Sequence, residues 1–286
     1  MSDAQATMTQ PMNDPSKLGK DRVSPMLKWA GGKTRLMPEL LSRLPESWEG
    51  YYEPFVGGGA LFFRMGPPQA RISDLNYELV NVYTVARDRV NALMAALQGL
   101  EYDRDTYYGM RALDPESLAP VARAARMIYL NRTCFNGLYR VNRRGQFNVP
   151  MGRYSNPVIC QTERLLQASA RLQQTDIVHA GYADAVSDAS EGDFIYFDPP
   201  YQPLTATANF TNYTAGAFDQ NDQADLAKTF TELGERGVRC MLSNSDTPLI
   251  RELYAEHKID QVMAPRAISR SASGRSAVAE VIVRNY

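Results

Sequence analysis

The strongest chemical signal in this 286-residue sequence is Asp198-Pro199-Pro200-Tyr201. It follows the apolar run Phe194-Ile195-Tyr196-Phe197, which reads as a strand of the buried parallel type. Prolines donate no backbone hydrogen bonds, so the strand must stop there. The turn is stiff and leaves carbonyl oxygens outside any ladder. The Asp198 carboxylate and the Pro199 carbonyl form a pair of acceptors, and Tyr201 supplies a flat face. Activating an exocyclic amine on a planar base requires that set. Such an amine delocalises its lone pair into the ring and is a poor nucleophile. Two acceptors on its hydrogens favour a tetrahedral nitrogen and stabilise the positive charge that develops as it attacks a methyl cation donor. The plainer alternative is a rigid strand-end turn with an incidental Asp.

Two glycine motifs lie upstream. Glu53-Pro54-Phe55-Val56-Gly57-Gly58-Gly59 reads as a strand running into small residues, which lets backbone approach a ligand at the carboxyl edge of a sheet. A dinucleotide fingerprint would need its last glycine at Phe62, which argues against a pyrophosphate at this helix start. Asp74 ends the next strand, placed to accept hydrogen bonds from ribose hydroxyls. Together they suggest a nucleoside-containing cofactor without a pyrophosphate. Trp29-Ala30-Gly31-Gly32-Lys33-Thr34 resembles the tail of a phosphate loop, but Leu27 stands where its first glycine belongs. By itself this motif is better read as a helix-entry turn with a solvated Lys33.

The fourth signal is charge. From Ser117 to Thr162 there is no Asp, Glu or Lys, yet the stretch carries Arg123, Arg126, Arg132, Arg140, Arg143, Arg144 and Arg153. Arginine contacts phosphates and grips guanine in bidentate fashion. Tyr129, Phe135, Tyr139, Phe147 and Tyr154 interleave with them, and Asn131, Asn136, Asn142 and Asn148 add base-edge or phosphate partners. Phe135 suits a stacking wedge. Ala264 to Ala279 is a second acid-free stretch, in which Arg270 is a candidate phosphate clamp.

The elements that must position these groups follow an α/β rhythm. Tyr51 to Val56, Ala70 to Asp74, Asp176 to His179, Phe194 to Phe197 and Val238 to Leu242 read as strands. Helical spacing runs over Lys33 to Leu44, Ala60 to Met65, Tyr77 to Leu97, Val121 to Leu130, Gln223 to Leu233 and Pro248 to Tyr254. Ile259 to Met263 and Val278 to Val283 are set to form a hairpin, with a mobile Ser/Arg-rich stretch, Pro265 to Ser276, between them. The expected fold is an α/β, Rossmann-like, mostly parallel sheet with a C-terminal antiparallel hairpin. Residues 25–81 and 173–286 would form this domain, 82–172 a mainly helical insertion, and 1–24 a disordered tail.

Composition bounds the function. With 31 basic and 32 acidic residues, uniform attraction of a polyanion is excluded, so any nucleic-acid contact must come from local patches. Two histidines and three scattered cysteines leave no metal centre of the His-rich or CxxC kind and no disulfide framework, which fits a reducing, cytoplasmic setting. No apolar run reaches the ~18 residues of a membrane span.

Taken together, these motifs identify a resemblance to the Dam-type DNA adenine-N6 methyltransferases. It rests on Lys28 to Lys33, Glu53 to Phe63, Asn136 to Asn142, Gln146 to Tyr154, Tyr196 to Tyr201, the segment around Asn209, and Leu242 to Asp246, all in one order. The chain looks most like members that methylate GATC. The resemblance implies S-adenosylmethionine against Trp29, Lys33, Asp74 and Asp198, with Phe55 and Gly57 as the pocket floor and Tyr182 near its adenine. It implies catalysis by Asp198, Pro199 and Tyr201 without a metal. It implies double-stranded DNA as partner, met by Phe135 as a wedge, by Asn136, Leu138 and Arg140 as base readers, and by Pro150. Arg132, Asn142, Arg153 and Arg270 complete the expected DNA-binding set. Flipping of the adenine, a bacterial or phage cytoplasmic setting, and room for a restriction endonuclease acting on the same site follow as well. Rival readings are cytosine-N4 methylation, RNA or protein-amide methylation, a catalytically dead DNA-binding module, and a P-loop nucleotide hydrolase.

Overall fold

The computed structural model describes residues 23–204, 218–264 and 278–286. The expected phosphate clamp Arg270, the stretch Pro265 to Ser276 and the motif around Asn209 lie outside them. Seven strands form one sheet: β1 (Tyr51–Glu53), β2 (Ala70–Asp74), β3 (Thr175–His179), β4 (Phe194–Phe197), β5 (Arg239–Ser245), β6 (Lys258–Ala264) and β7 (Val278–Arg284). Their order is β3-β2-β1-β4-β5-β7-β6. Pairings among β1 to β5 are parallel, while β7 runs antiparallel between β5 and β6. The expected mostly parallel sheet with a C-terminal hairpin is what forms.

Ten α-helices flank the sheet: α1 (Met37–Leu41), α2 (Ala60–Met65), α3 (Tyr77–Asp88), α4 (Val90–Gln98), α5 (Arg104–Ala112), α6 (Pro120–Thr133), α7 (Thr162–Leu172), α8 (Tyr182–Ala185), α9 (Gln220–Glu235) and α10 (Pro248–Leu253) among the described residues. Side chains alternate across β4. Phe194 and Tyr196 enter a core shared with α2, α3, α4, α6 and α7, whereas Ile195 and Phe197 enter a second core under α9 and α10. Both faces are covered, which is why this strand reads as an unbroken apolar run. A third cluster joins Tyr107 of α5, Tyr129 and Cys134 at the end of α6, and Phe147 and Val149.

Three local expectations are corrected. Tyr77 to Leu97 is two helices, broken at Arg89 (φ −141°), next to Val90 and Asn91, both weak helix formers. Lys33 to Leu44 begins as a 3-10 turn, Lys33–Arg35, before α1. Val23, inside the expected tail, is buried in the main core. The caps follow sequence rules. Asn76 accepts from the Glu78 amide at the start of α3, and Asp219 and Asp222 form a capping box on α9.

Candidate functional site

Strand order reverses between β1 and β4, and the crevice outside their carboxyl ends is where an open α/β sheet places ligands. β1 delivers the glycine turn to this crevice and β4 delivers Asp198. Gly57 adopts φ +47°, and a Cβ there would lie 2.8 Å from Cδ1 of Trp29, so both conformation and space demand glycine. The Gly57 amide donates to Asp74 Oδ2 at 3.0 Å, and its carbonyl accepts from the Tyr83 hydroxyl at 2.6 Å. Asp74 Oδ1 accepts from the Asn76 amide at 2.8 Å. Asp74 thus anchors the glycine turn as well as standing at the end of β2, and burial raises its pKa. Each carboxylate oxygen accepts more than one hydrogen bond, so capacity for ribose hydroxyls remains.

Beside this turn lies an aromatic group. Phe55 stacks on Tyr182, centroids 5.4 Å apart and planes 26° apart, and Phe218 meets both edge-on. The rings form one aromatic group at the carboxyl end of β1. The sequence singled out Phe55 and Tyr182 but missed Phe218. On the other side Trp29 stacks on Tyr139 at 5.2 Å.

The acceptor end is more constrained than the sequence suggested. Asp198 Oδ1 lies 2.6 Å from Lys33 Nζ, which also donates to the Gly31 carbonyl at 2.7 Å and sits 4.7 Å from the centroid of the Tyr201 ring. Lys33, read from its own motif as solvated, is 7% exposed. Burial raises the Asp198 pKa, Lys33 pulls it back, and Glu280 raises it further. Glu280, on β7, accepts from the Tyr201 hydroxyl at 2.9 Å. Glu53, the first residue of the glycine motif, is fully enclosed. It accepts from the Tyr51 hydroxyl at 2.6 Å and from the Phe62 amide at 3.0 Å. Burial pushes its carboxyl up to about 8, with the Asp198 charge adding to the rise.

The proline turn is clamped from below. Gln223 of α9 donates to the Pro200 carbonyl at 2.9 Å and accepts from Asn244 at 3.0 Å. Asn244 accepts from the Gln202 amide at 3.0 Å, and Ser245 donates to the Gln202 carbonyl at 2.6 Å. Gln223 and Asn244 are wholly buried, so these amides lock the backbone that presents Asp198 and Tyr201. The motif Leu242 to Asp246 contains Asn244. Gln223 lay in an amphipathic helix with nothing in its sequence to mark it.

The arginine-rich segment divides into inner and outer parts. Arg123 pairs with Glu78, and Arg126 donates to the Met110 and Arg111 carbonyls. Arg132, expected at DNA, is buried, and its guanidinium donates to the Met26 carbonyl. Burial lowers its pKa to about 10. It ties the segment before Trp29 to α6 and is not offered to solvent. Arg140, Arg143, Arg144 and Arg153 are exposed. Arg140 Nε donates to Asn148 Oδ1 at 2.6 Å.

Phe135 to Gly137 form a tight 3-10 turn after α6 in which Asn136 takes φ +56° and Gly137 φ +65°. A left-handed Asn is tolerated where other side chains strain. Phe135 is 50% exposed and Leu138 40%, an aromatic and an aliphatic side chain held out on a rigid turn. Pro150 is exposed beside them, its carbonyl accepting from the Phe135 amide at 2.9 Å. The Asn142 side-chain oxygen closes its own turn, accepting from the Arg144 and Gln146 amides. Buried Asn131 donates to the Lys28 and Gly137 carbonyls and accepts from the Lys28 amide. One amide therefore latches the Lys28 to Lys33 segment to the Phe135 turn.

Comparison with known proteins agrees with this geometry. Residues 29–268 match the model of the D12 class N6 adenine-specific DNA methyltransferase family. A type II methyltransferase, M1.LlaDCHI of Lactococcus lactis subsp. cremoris, is 42% identical, the match covering 93% of this chain and 97% of the relative. The type II methyltransferase M.MjaIII of Methanocaldococcus jannaschii is 39% identical over 92% and 99%. The DNA adenine methylase of Escherichia coli K12 is 37% identical over 90% and 93%.

Proposed function

Since the chain belongs to the D12 class of N6 adenine-specific DNA methyltransferases, we propose that it uses S-adenosylmethionine to methylate the adenine of GATC in duplex DNA after turning that base out of the helix. The family sets aside the cytosine and P-loop readings. The observation that carries the proposal is the convergence of Asp198, Tyr201 and the Gly57 turn at the sheet's switch point.

The residues fit the cofactor. A glycine turn that admits no Cβ, a carboxylate at the end of β2 and the Phe55, Tyr182 and Phe218 rings suit a nucleoside bearing a sulfonium chain. When bound, S-adenosylmethionine supplies a methyl group already activated by its sulfonium. The protein's own work is to position and polarise the amine. Asp198 and the Pro199 carbonyl would accept its two hydrogens, localise the lone pair and stabilise the charge that forms. Tyr201, fixed by Glu280, would stack against the ring. Extruding the base costs a few kcal/mol, offset in part by Phe135 filling the space left behind. Arg140, Asn136, Leu138 and Pro150 would read base edges, with Asn142, Arg153 and Arg270 on phosphates. Residues 82–172 would act as the DNA-reading unit. A cytoplasmic setting and a restriction endonuclease sharing the site complete the reading; the names of the type II relatives support the latter.

The test is incubation of a GATC duplex with methyl-labelled cofactor, followed by digestion to nucleosides. Label is expected in N6-methyl-2′-deoxyadenosine from the GATC duplex and not from a duplex of the same composition lacking GATC. Equal labelling of the two duplexes would overturn the site assignment.

A further inference from the structure

The Lys33 ammonium is 2.6 Å from the Asp198 carboxylate, lies over the Tyr201 ring at 4.7 Å, and takes its third contact from the Gly31 carbonyl at 2.7 Å. An adenine stacked on Tyr201 with its amine bonded to Asp198 would put that nitrogen about 2.9 Å from the same carboxylate. The ammonium stands over the ring on which the base would stack and on the carboxylate its amine would use, so the two compete for one seat. We propose that Lys33 is a resident stand-in for the target amine. It fills the acceptor and must withdraw before the base can enter. The proposal rests on the roles given above to Asp198 and Tyr201.

The chemistry of the contact supports this. The ammonium is a tetrahedral, positively charged nitrogen, as is the target nitrogen once a methyl group has been added. The protein therefore binds, through its own lysine, the charge type the reaction produces, on the same carboxylate and ring face. Among the described residues Lys33 is the cation paired with Asp198, with Glu280 and Glu53 as the other acids nearby.

The means of withdrawal is also present. Lys33 follows Gly31 at φ +79° and Gly32, both exposed. The other end of the segment, Lys28, is latched by Asn131 to the Phe135 turn. Engagement of DNA at that turn thus bears on the segment carrying the ammonium.

The experiment uses duplexes with 2-aminopurine in place of the target adenine of GATC. Its fluorescence rises when the base leaves the stack. A seat filled about nine-tenths of the time weakens apparent affinity for the base about tenfold. Lys33→Met should therefore raise the emission at saturation and tighten binding of this duplex about tenfold, with no gain on a duplex lacking the site. Lys33→Arg keeps a cation in the seat and should behave like the wild type. Lys33→Gln serves if the Met variant does not fold, as judged by circular dichroism. Equal or weaker emission and affinity in the neutral variants would overturn the proposal. So would equal losses in Met and Arg variants, which would make Lys33 a direct helper of the base. Methylation of the ordinary duplex by the wild type decides the underlying reading separately. If no N6-methyl-2′-deoxyadenosine forms, that reading fails and the role of Lys33 fails with it; if it forms, the fluorescence result bears on Lys33 alone.

Discussion

Glu53 makes the most quantitative prediction. Its carboxyl is 3% exposed and accepts two hydrogen bonds on one oxygen, from the Tyr51 hydroxyl and the Phe62 amide. Burial raises its pKa from 4.5 to about 8. The folded protein therefore holds this proton more tightly than the unfolded chain does. Stability contributed here is fully present below pH 4.5 and is lost as pH rises toward about 8, beyond which nothing more is lost. The slope in that window approaches about 1.4 kcal/mol per pH unit, so the full loss is at most about 5 kcal/mol. Glu53→Gln reproduces the neutral carboxyl, with one oxygen to accept both bonds, and cannot ionise. Urea unfolding of both proteins from pH 5 to 8.5 checks the argument. The variant should gain on the wild type with each step up in pH and level off above about 8. A stability difference independent of pH would refute the reasoning, because it would mean that Glu53 ionises alike in both states.

Other expectations concern turnover and recognition. Asp198→Asn keeps an acceptor for Lys33 but removes the charge on the amine, so kcat should fall ~10²–10³-fold with DNA affinity little changed, as seen in single-turnover assays. Asp74→Ala should weaken S-adenosylmethionine binding by about 1–3 kcal/mol by calorimetry, since a charged acceptor and the anchor of the Gly57 turn are lost together. Arg140→Ala should relax preference at one guanine of GATC by ~1–3 kcal/mol on a panel of duplexes with single base-pair changes; equal loss on all of them would make it a phosphate or structural residue.

What the sequence revealed and what it hid divide along physical lines. The strand Phe194 to Phe197 was legible because burial on both faces leaves a continuous apolar run, and the turn after it because two prolines permit little else. Gly57 was legible because its conformation and the press of Trp29 exclude any other residue. The hidden residues work through contacts made across the fold. Gln223 lies 23 residues from Pro200, and Glu280 lies 79 from Tyr201. No local pattern marks such partners. The arginine segment shows the same limit from the other direction. Absence of acids pointed to a cationic surface, but Arg126 and Arg132 turn inward onto backbone carbonyls and Arg123 onto Glu78. The arginines of α6 all turn inward, while the exposed Arg140, Arg143, Arg144 and Arg153 lie in the chain beyond it, and composition does not carry that division.

The segment from Lys28 to Lys33 joins these parts into one device. Its first residue is bound on both backbone groups by Asn131, which also holds Gly137 beneath the exposed Phe135. Its second, Trp29, presses on the glycine turn and stacks on Tyr139 of the arginine-rich segment. Its last, Lys33, ends on the Asp198 carboxylate. The Gly57 turn, Asp198 and the Phe135 turn are thus in contact through six residues of chain. A shift of the Phe135 turn on DNA cannot leave that chain unmoved, because Asn131 is buried and bonded to both. Asn131→Ala should therefore uncouple them: DNA still binds through the exposed arginines, but discrimination in kcat between GATC and altered sites shrinks toward unity. Measured kcat on cognate and altered duplexes, each at saturating DNA, gives the answer. Undiminished discrimination in a folded Asn131→Ala protein would show that the latch carries no information between recognition and chemistry.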